Sequence, residues 1–278
     1  MKKLNSVLLL SAIIILPLHA YPAMTAERVL DNMVEAFERG VADVDDYTVV
    51  TNLYTAYYKK VMENGRPTFE ARTKVRGMDR MHDEAVEQSM LSHSDFFASE
   101  TYETARANAR YEGRATVDGV ETHHLYIPVI EQFGDGTEDH EPMEDVNVFI
   151  DAERWVLRKM EFKTEFERGP GDLRTVRPEI HMQDYRDVEG MYIPFRTVVL
   201  VEGIDEMISP EEREEARRGL QEIERQLGNM PEEQRRMMKR MVEPQIQQLE
   251  QILENDAFEM VHEVKEVKVN TGLPEGLF

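Results

Sequence analysis

The chain contains no cysteine, so its chemistry must come from histidine, carboxylate and hydroxyl groups. Disulfides, thiol nucleophiles, iron–sulfur clusters and cysteine zinc sites are thereby excluded. No serine stands in a G-x-S-x-G turn, no glycine-rich run has phosphate-cradling spacing, and no H-E-x-x-H pair is present. The one adjacent histidine pair is His123-His124. Neighbouring strand residues point to opposite faces, so these two cannot ligate one metal and read as ordinary strand residues. His82 and His93 fall in a segment without site spacing. Asp135, Asp139, Glu141, Glu144 and Asp145 could offer oxygens to Ca²⁺, but they lack the spacing of a ligand loop and read as a solvated acidic loop. Among 55 Asp and Glu residues no acid/base pair stands out. The expectation is a protein that is not an enzyme and uses no cofactor and no metal.

The charge balance narrows the partners. Against those 55 acids stand 33 Lys and Arg, a net charge of −22. Phosphate contacts need clustered cations, so nucleic acid is not a partner, and an anionic membrane surface is disfavoured for the same reason. What remains is apolar chemistry. Met230, Met237, Met238 and Met241 crowd one stretch. Methionine fills gaps in a plain core, and it also lines exchangeable apolar surfaces; both readings stay open.

The N-terminus carries an address. Lys2 and Lys3 precede an apolar run from Val7 to Leu16, Pro17 ends it, and Leu18-His19-Ala20 offers a cleavage site, with Ala23 as the other candidate. This is the pattern of a secretory signal peptide over residues 1–20. No later run approaches membrane-spanning length, and there is no cysteine to lipidate, so the exported chain is expected to be soluble and, in a bacterium, periplasmic.

The elements that would position these groups follow from periodicity. Val29, Leu30, Met33, Val34 and Phe37 mark an amphipathic helix over 25–39, capped by Thr25 and ended by Gly40. From Tyr47 to Lys60 the residues suit strands, and Asn64-Gly65 supplies a hairpin turn. Phe69, Ala71, Thr73 and Val75 alternate with charges, as in a half-buried strand. Residues 79–108 read as short helices, and 131–145 as an acidic loop. Further strands are expected over 109–116, 121–127, 146–150, 155–166, 176–185, 192–201 and 258–269, with turns at Asp118-Gly119 and Glu189-Gly190. Residues 209–256 interrupt this meander with a helical hairpin. Ser209-Pro210-Glu211-Glu212 caps its first helix, Gly228-Asn229 breaks it, and Pro231 starts a second, which Pro244 kinks or splits. The whole is one α+β domain, residues 21–278, with an inserted helical hairpin.

The closing run Val267-Lys268-Val269-Asn270-Thr271-Gly272-Leu273-Pro274-Glu275-Gly276-Leu277-Phe278 resembles the tail of the LolA-like superfamily, the periplasmic outer-membrane lipoprotein carriers and their relatives. The turn Glu189-Gly190-Met191-Tyr192-Ile193-Pro194-Phe195 is similar to the same group's entry into a strand. The resemblance covers roughly residues 25–205 and 257–278. It implies a curved, incompletely closed antiparallel β-sheet, a half-barrel, with helices covering its concave face and an apolar space between them that accepts acyl chains. The 209–256 hairpin is a departure from the carriers.

A sheet with one apolar face must cover it, and one 15-residue helix cannot cover seven or more strands. Either the hairpin or a ligand covers the remainder. The candidate wall is Phe69, Val75, Met160, Phe162, Phe166, Ile180, Met182, Phe195 and Val199, each of which could instead belong to a dry core. Met237, Met241 and Ile252 would form a lid hinged near Gly203 and Asn255. The functional expectation is a non-enzymatic carrier of lipid or lipoprotein acyl chains in outer-membrane lipoprotein sorting. The alternative is an interaction module, an envelope sensor or transporter accessory factor, that docks on a membrane protein partner through the hairpin.

Overall fold

The computed structural model describes residues 23–52, 54–63, 65–75, 100–130, 142–167, 172–202, 208–232, 234–236, 238–239, 246, 253 and 257–278. The expected leader over 1–20, His82, His93, the acidic residues Asp135, Asp139 and Glu141, the hinges Gly203 and Asn255, and the lid residues Met237, Met241 and Ile252 lie outside the described residues.

Ten strands form one antiparallel sheet. They are β1 (Asp46–Thr51), β2 (Tyr54–Glu63), β3 (Arg66–Val75), β4 (Arg110–Val117), β5 (Val120–Ile130), β6 (Met143–Asp151), β7 (Leu157–Glu167), β8 (Leu173–Val188), β9 (Met191–Glu202) and β10 (Ala257–Val269). Their spatial order is β3-β2-β1-β10-β9-β8-β7-β6-β5-β4. The sheet does not close into a barrel; β3 and β4 are its two edges. β4 to β9 are a plain meander, in which each strand pairs with its neighbour in sequence. The last strand, β10, lies between β9 and β1 and joins the N-terminal hairpins to the meander.

Three helices are described: α1 (Ala26–Gly40), α2 (Glu100–Asn108) and α3 (Pro210–Asn229). α1 forms as the sequence predicts. Thr25 accepts a hydrogen bond from the Arg28 amide at its start. Val29, Leu30, Met33 and Val34 are buried on one face. Each such side chain contributes roughly 1.5–3 kcal/mol when removed from water. Gly40 ends the helix against the β8–β9 turn, where a Cβ would stand 3.0 Å from the Gly190 carbonyl oxygen. α3 starts on the complete capping box of Ser209 and Glu212, with Pro210 in its first turn.

α1 and α2 lie on the inner face of the sheet. Val29, Leu30, Met33 and Val34 pack with Tyr102 and Ala105 of α2 onto Leu125, Ile127, Val146 and Val148. Arg106 of α2 fastens the helices to each other by binding Asp31 at 2.9 Å and pairing with Glu27. That guanidinium, helped by the Tyr102 hydroxyl, holds the Asp31 carboxyl below its ordinary range against the opposing effect of burial. A second cluster gathers Val41, Val44, Phe69, Met191 and Val269 where α1 runs into β1.

One local expectation is made specific and one is corrected. The stretch from Tyr47 to Lys60 is two strands, because Thr51 folds the chain back: its Oγ1 accepts from the Tyr54 amide at 2.9 Å and donates to the Tyr54 carbonyl at 3.0 Å. Trp155 is in a turn with φ +59, and β7 begins at Leu157. Asp151 dictates this turn. Its carboxylate accepts from the amides of Glu153 and Arg154 at 2.9 Å and from Arg158 at 2.7 Å. Burial would raise that carboxyl, but these bonds outweigh it and hold it low. The turns at Asp118-Gly119 and Glu189-Gly190 are as predicted, with positive φ at both positions of each, the conformation that two-residue hairpins favour.

Candidate functional site

The two faces of the sheet differ in chemistry. On the outer face Lys159 bridges Glu161 at 2.5 Å and Glu179 at 2.8 Å, while Lys163 bridges Glu144 at 2.9 Å and Glu165 at 3.6 Å. Burial opposes the charge on Lys159, but the two glutamates overcome it and raise its pKa. Tyr126 donates to Asp145 at 2.8 Å, and His124 stacks on Phe149 while its Nε2 lies 2.9 Å from Asn147.

The inner face is apolar, and register makes it continuous. Leu125 of β5 pairs with Val148, Val148 with Met160, Met160 with Ile180, Ile180 with Val199, and Val199 with Met260. Direct cross-strand partners share a face, so these six side chains form one row across six strands. The row is graded. Leu125 is fully covered by the helices and Met160 is 4% exposed, whereas Ile180, Val199 and Met260 are half-buried.

The next row, towards the strand ends, is His262–Thr197–Met182. His262 is 4% exposed and neither ring nitrogen has a hydrogen-bond partner. Burial holds its pKa below the ordinary histidine value. The Tyr54 ring lies 6.2 Å away, and burial pushes that phenol up to about 12. His123 is also on the inner face, stacked on Trp155 at 5.0 Å with Tyr111 Oη 3.2 Å from its Nδ1. Burial lowers its pKa, and Arg114 adds to the effect.

The wall residues named from sequence divide among these surroundings. Met160, Phe162, Ile180 and Met182 come together in the cluster under α1 and α2. Phe69 belongs to the second cluster, edge-on to Tyr47 at 4.9 Å. Val199 is in the cross-sheet row, and Phe195 lies under the Arg186 guanidinium at 4.0 Å. Val75 and Phe166 are in β3 and β7, and their side chains lie outside the described residues. Leu125, Val148, Met260 and His262 were not singled out from sequence. A signal for the last two existed: Met260, His262 and Val264 fall on one phase of β10 and Glu263 and Lys265 on the other.

The tail motif has a structural role. Asn270, at φ +51, accepts from the Asp45 amide at 2.7 Å and donates to the Asp43 carbonyl at 2.8 Å. Gly272 donates to the Asp46 carboxylate at 3.1 Å. The tail so fixed walls an open cleft of about 560 Å³ with Lys59, Lys60 and Met62. Among the described residues no group of three metal-ligating side chains occurs, and no helix is long and apolar enough to cross a membrane.

No protein-family model and no curated protein matches the chain. Among solved structures, it is similar to a DUF1329 family protein from Desulfovibrio piger, with 9% identity and a TM-score of 0.42 over 90% of this chain and 93% of that one. It is similar to a Vibrio parahaemolyticus domain assigned to outer-membrane lipoprotein sorting, with 8% identity and a TM-score of 0.41 over 90% and 94% of the two chains. A third similar structure is the Mycobacterium tuberculosis lipoprotein LppX, with 12% identity and a TM-score of 0.23 over 48% of this chain and 86% of that one.

Proposed function

We propose that this chain is a carrier of acyl chains, from lipids or lipoproteins, which it holds on the inner face of its sheet without chemical change. The observation that carries the reading is the apolar row from Leu125 to Met260, dry under the helices and half-buried at Ile180, Val199 and Met260. An acyl chain laid along the uncovered part of such a row gains about 0.8 kcal/mol per buried CH₂, enough to bind without polar chemistry. The secretory leader read over residues 1–20 and the likeness of the tail to LolA-like carriers support work in the periplasm, in outer-membrane lipoprotein sorting. The capped α3 with the rest of the 209–256 hairpin would then serve as a lid, with Met237, Met241 and Ile252 over the acyl chain.

Native mass spectrometry of the protein purified from cells, paired with titration by a fluorescent fatty acid, tests this. Co-purified lipid, and binding that a Val199→Asp, Met260→Asp double variant abolishes while remaining folded, is the expected result. Protein that is consistently ligand-free and rejects the probe would overturn it. One observation favours a second reading, docking through the hairpin: Ile223 of α3, a large apolar side chain, is 39% exposed. A pull-down with and without residues 209–256 separates the two, because unchanged partners after deletion would reject docking.

A further inference from the structure

The inner face carries a side chain that the fold leaves unanswered on all its polar atoms. His262 is the one residue among those described with two buried, unpartnered side-chain nitrogens. Such groups are costly to keep, so an apolar residue at this position would serve the core better. Thr51 Oγ1 is engaged with the backbone of Tyr54. Thr197 is its cross-strand neighbour on β9, and Met260 precedes it on the same face of β10. Met260 and Val199 are half-buried, so the apolar face continues outward from the imidazole. Burial lowers the pKa of the ring and so favours its neutral form.

A neutral imidazole offers one N–H donor and one bare acceptor nitrogen. A ligand end that answers both must itself donate and accept. A hydroxyl does so. An ester carbonyl only accepts, and a carboxylate would need a countercharge that this neutral site does not supply. The strongly acidic chain also disfavours an anionic headgroup, at a net charge of −22.

We propose that His262 is the polar anchor of the inner face and selects neutral, hydroxyl-bearing acyl lipids of the monoacylglycerol class. The glycerol end would sit between β10 and Tyr54, donating one hydroxyl hydrogen to the bare nitrogen and accepting the imidazole N–H with a hydroxyl oxygen. The acyl chain would run along Met260, Val199 and Ile180. This rests on the acyl-carrier reading above.

The test uses the exported chain and three probes below their micelle concentrations: monopalmitoylglycerol, methyl palmitate and palmitate. Displacement of a fluorescent fatty acid reads affinity. Two neutral hydrogen bonds predict that monopalmitoylglycerol binds about tenfold tighter than methyl palmitate. In His262→Leu that ratio should fall to about one, with methyl palmitate binding unchanged, and His262→Gln should restore part of it. The imidazole nitrogen resonances of His262 should move with monopalmitoylglycerol and stay with the methyl ester. A ratio that survives His262→Leu, equal binding of the two esters by the wild type, or tightest binding of palmitate would each overturn the assignment of His262 while leaving the carrier reading intact. Binding of none of the three would overturn both.

Discussion

Replacing His262 by leucine should stabilise the unliganded protein and flatten its response to acid. The imidazole is 4% exposed with both nitrogens unpartnered, and leucine has a comparable volume without polar atoms. Leaving a buried polar group unsatisfied costs about 1–3 kcal/mol, so the substitution should gain on the order of 2 kcal/mol at neutral pH. For a chain of this size that is a rise in Tm of roughly 4–8 °C. The acid effect has a definite sign. Burial lowers the pKa of His262 in the folded state, while the unfolded chain titrates near 6.5. Stability from the neutral ring is therefore complete above about pH 6.5 and is lost as pH falls towards the folded pKa, at about 1.4 kcal/mol per pH unit. His123, lowered by burial and then by Arg114, adds a second contribution of the same sign. The variant keeps only the second. Urea unfolding at pH 5, 6, 7 and 8 measures both quantities. A variant that loses acid stability as steeply as the wild type, or that is less stable at pH 8, would refute the reasoning.

Phe162→Asp should cost about 2–4 kcal/mol and weaken acyl binding, because Phe162 packs against the cluster under α1, whereas Lys163→Gln on the outer face should leave both unchanged; parallel melts and probe titrations compare them. Gly40→Ala should lower stability by about 1–2 kcal/mol, since the new Cβ meets the Gly190 carbonyl oxygen, a backbone atom that cannot swing aside, at 3.0 Å; a thermal melt reads the loss. Asn270→Ala should cost about 1–3 kcal/mol by releasing the bonds to Asp43 and Asp45, and amide exchange should rise in the tail rather than in β4–β9.

Several features followed from local chemistry that needs no distant partner. The α1 stripe, the Thr25 and Ser209 caps, and the paired positive-φ turns at Asp118-Gly119 and Glu189-Gly190 are set by residues within four positions of each other. Period-two alternation likewise assigned Met160 and Phe162 to one face of β7 and Lys159, Glu161 and Lys163 to the other. The curved open sheet with helices on its inner face was legible only through two short resemblances, the tail and the turn from Glu189 to Phe195. That tail motif shows in Asn270 a clip holding the C-terminus to the chain before β1. Where the strands lie relative to one another was decided by tertiary structure. Alternation says which face a side chain takes and nothing about its neighbours across the ladder, so the row from Leu125 to Met260 exists only once register is set. The position of β10 between β9 and β1 sets Val269 opposite Tyr47 and Val264 opposite Thr51, near the two ends of the chain, a pairing no local pattern encodes. The break at Thr51 turned on one hydroxyl bonding twice to Tyr54 inside an otherwise strand-like run. The solitude of His262 is of the same kind. The sequence placed a histidine on an apolar phase, and only the packing of β9, β10 and Tyr54 around it determined that neither nitrogen would find a partner.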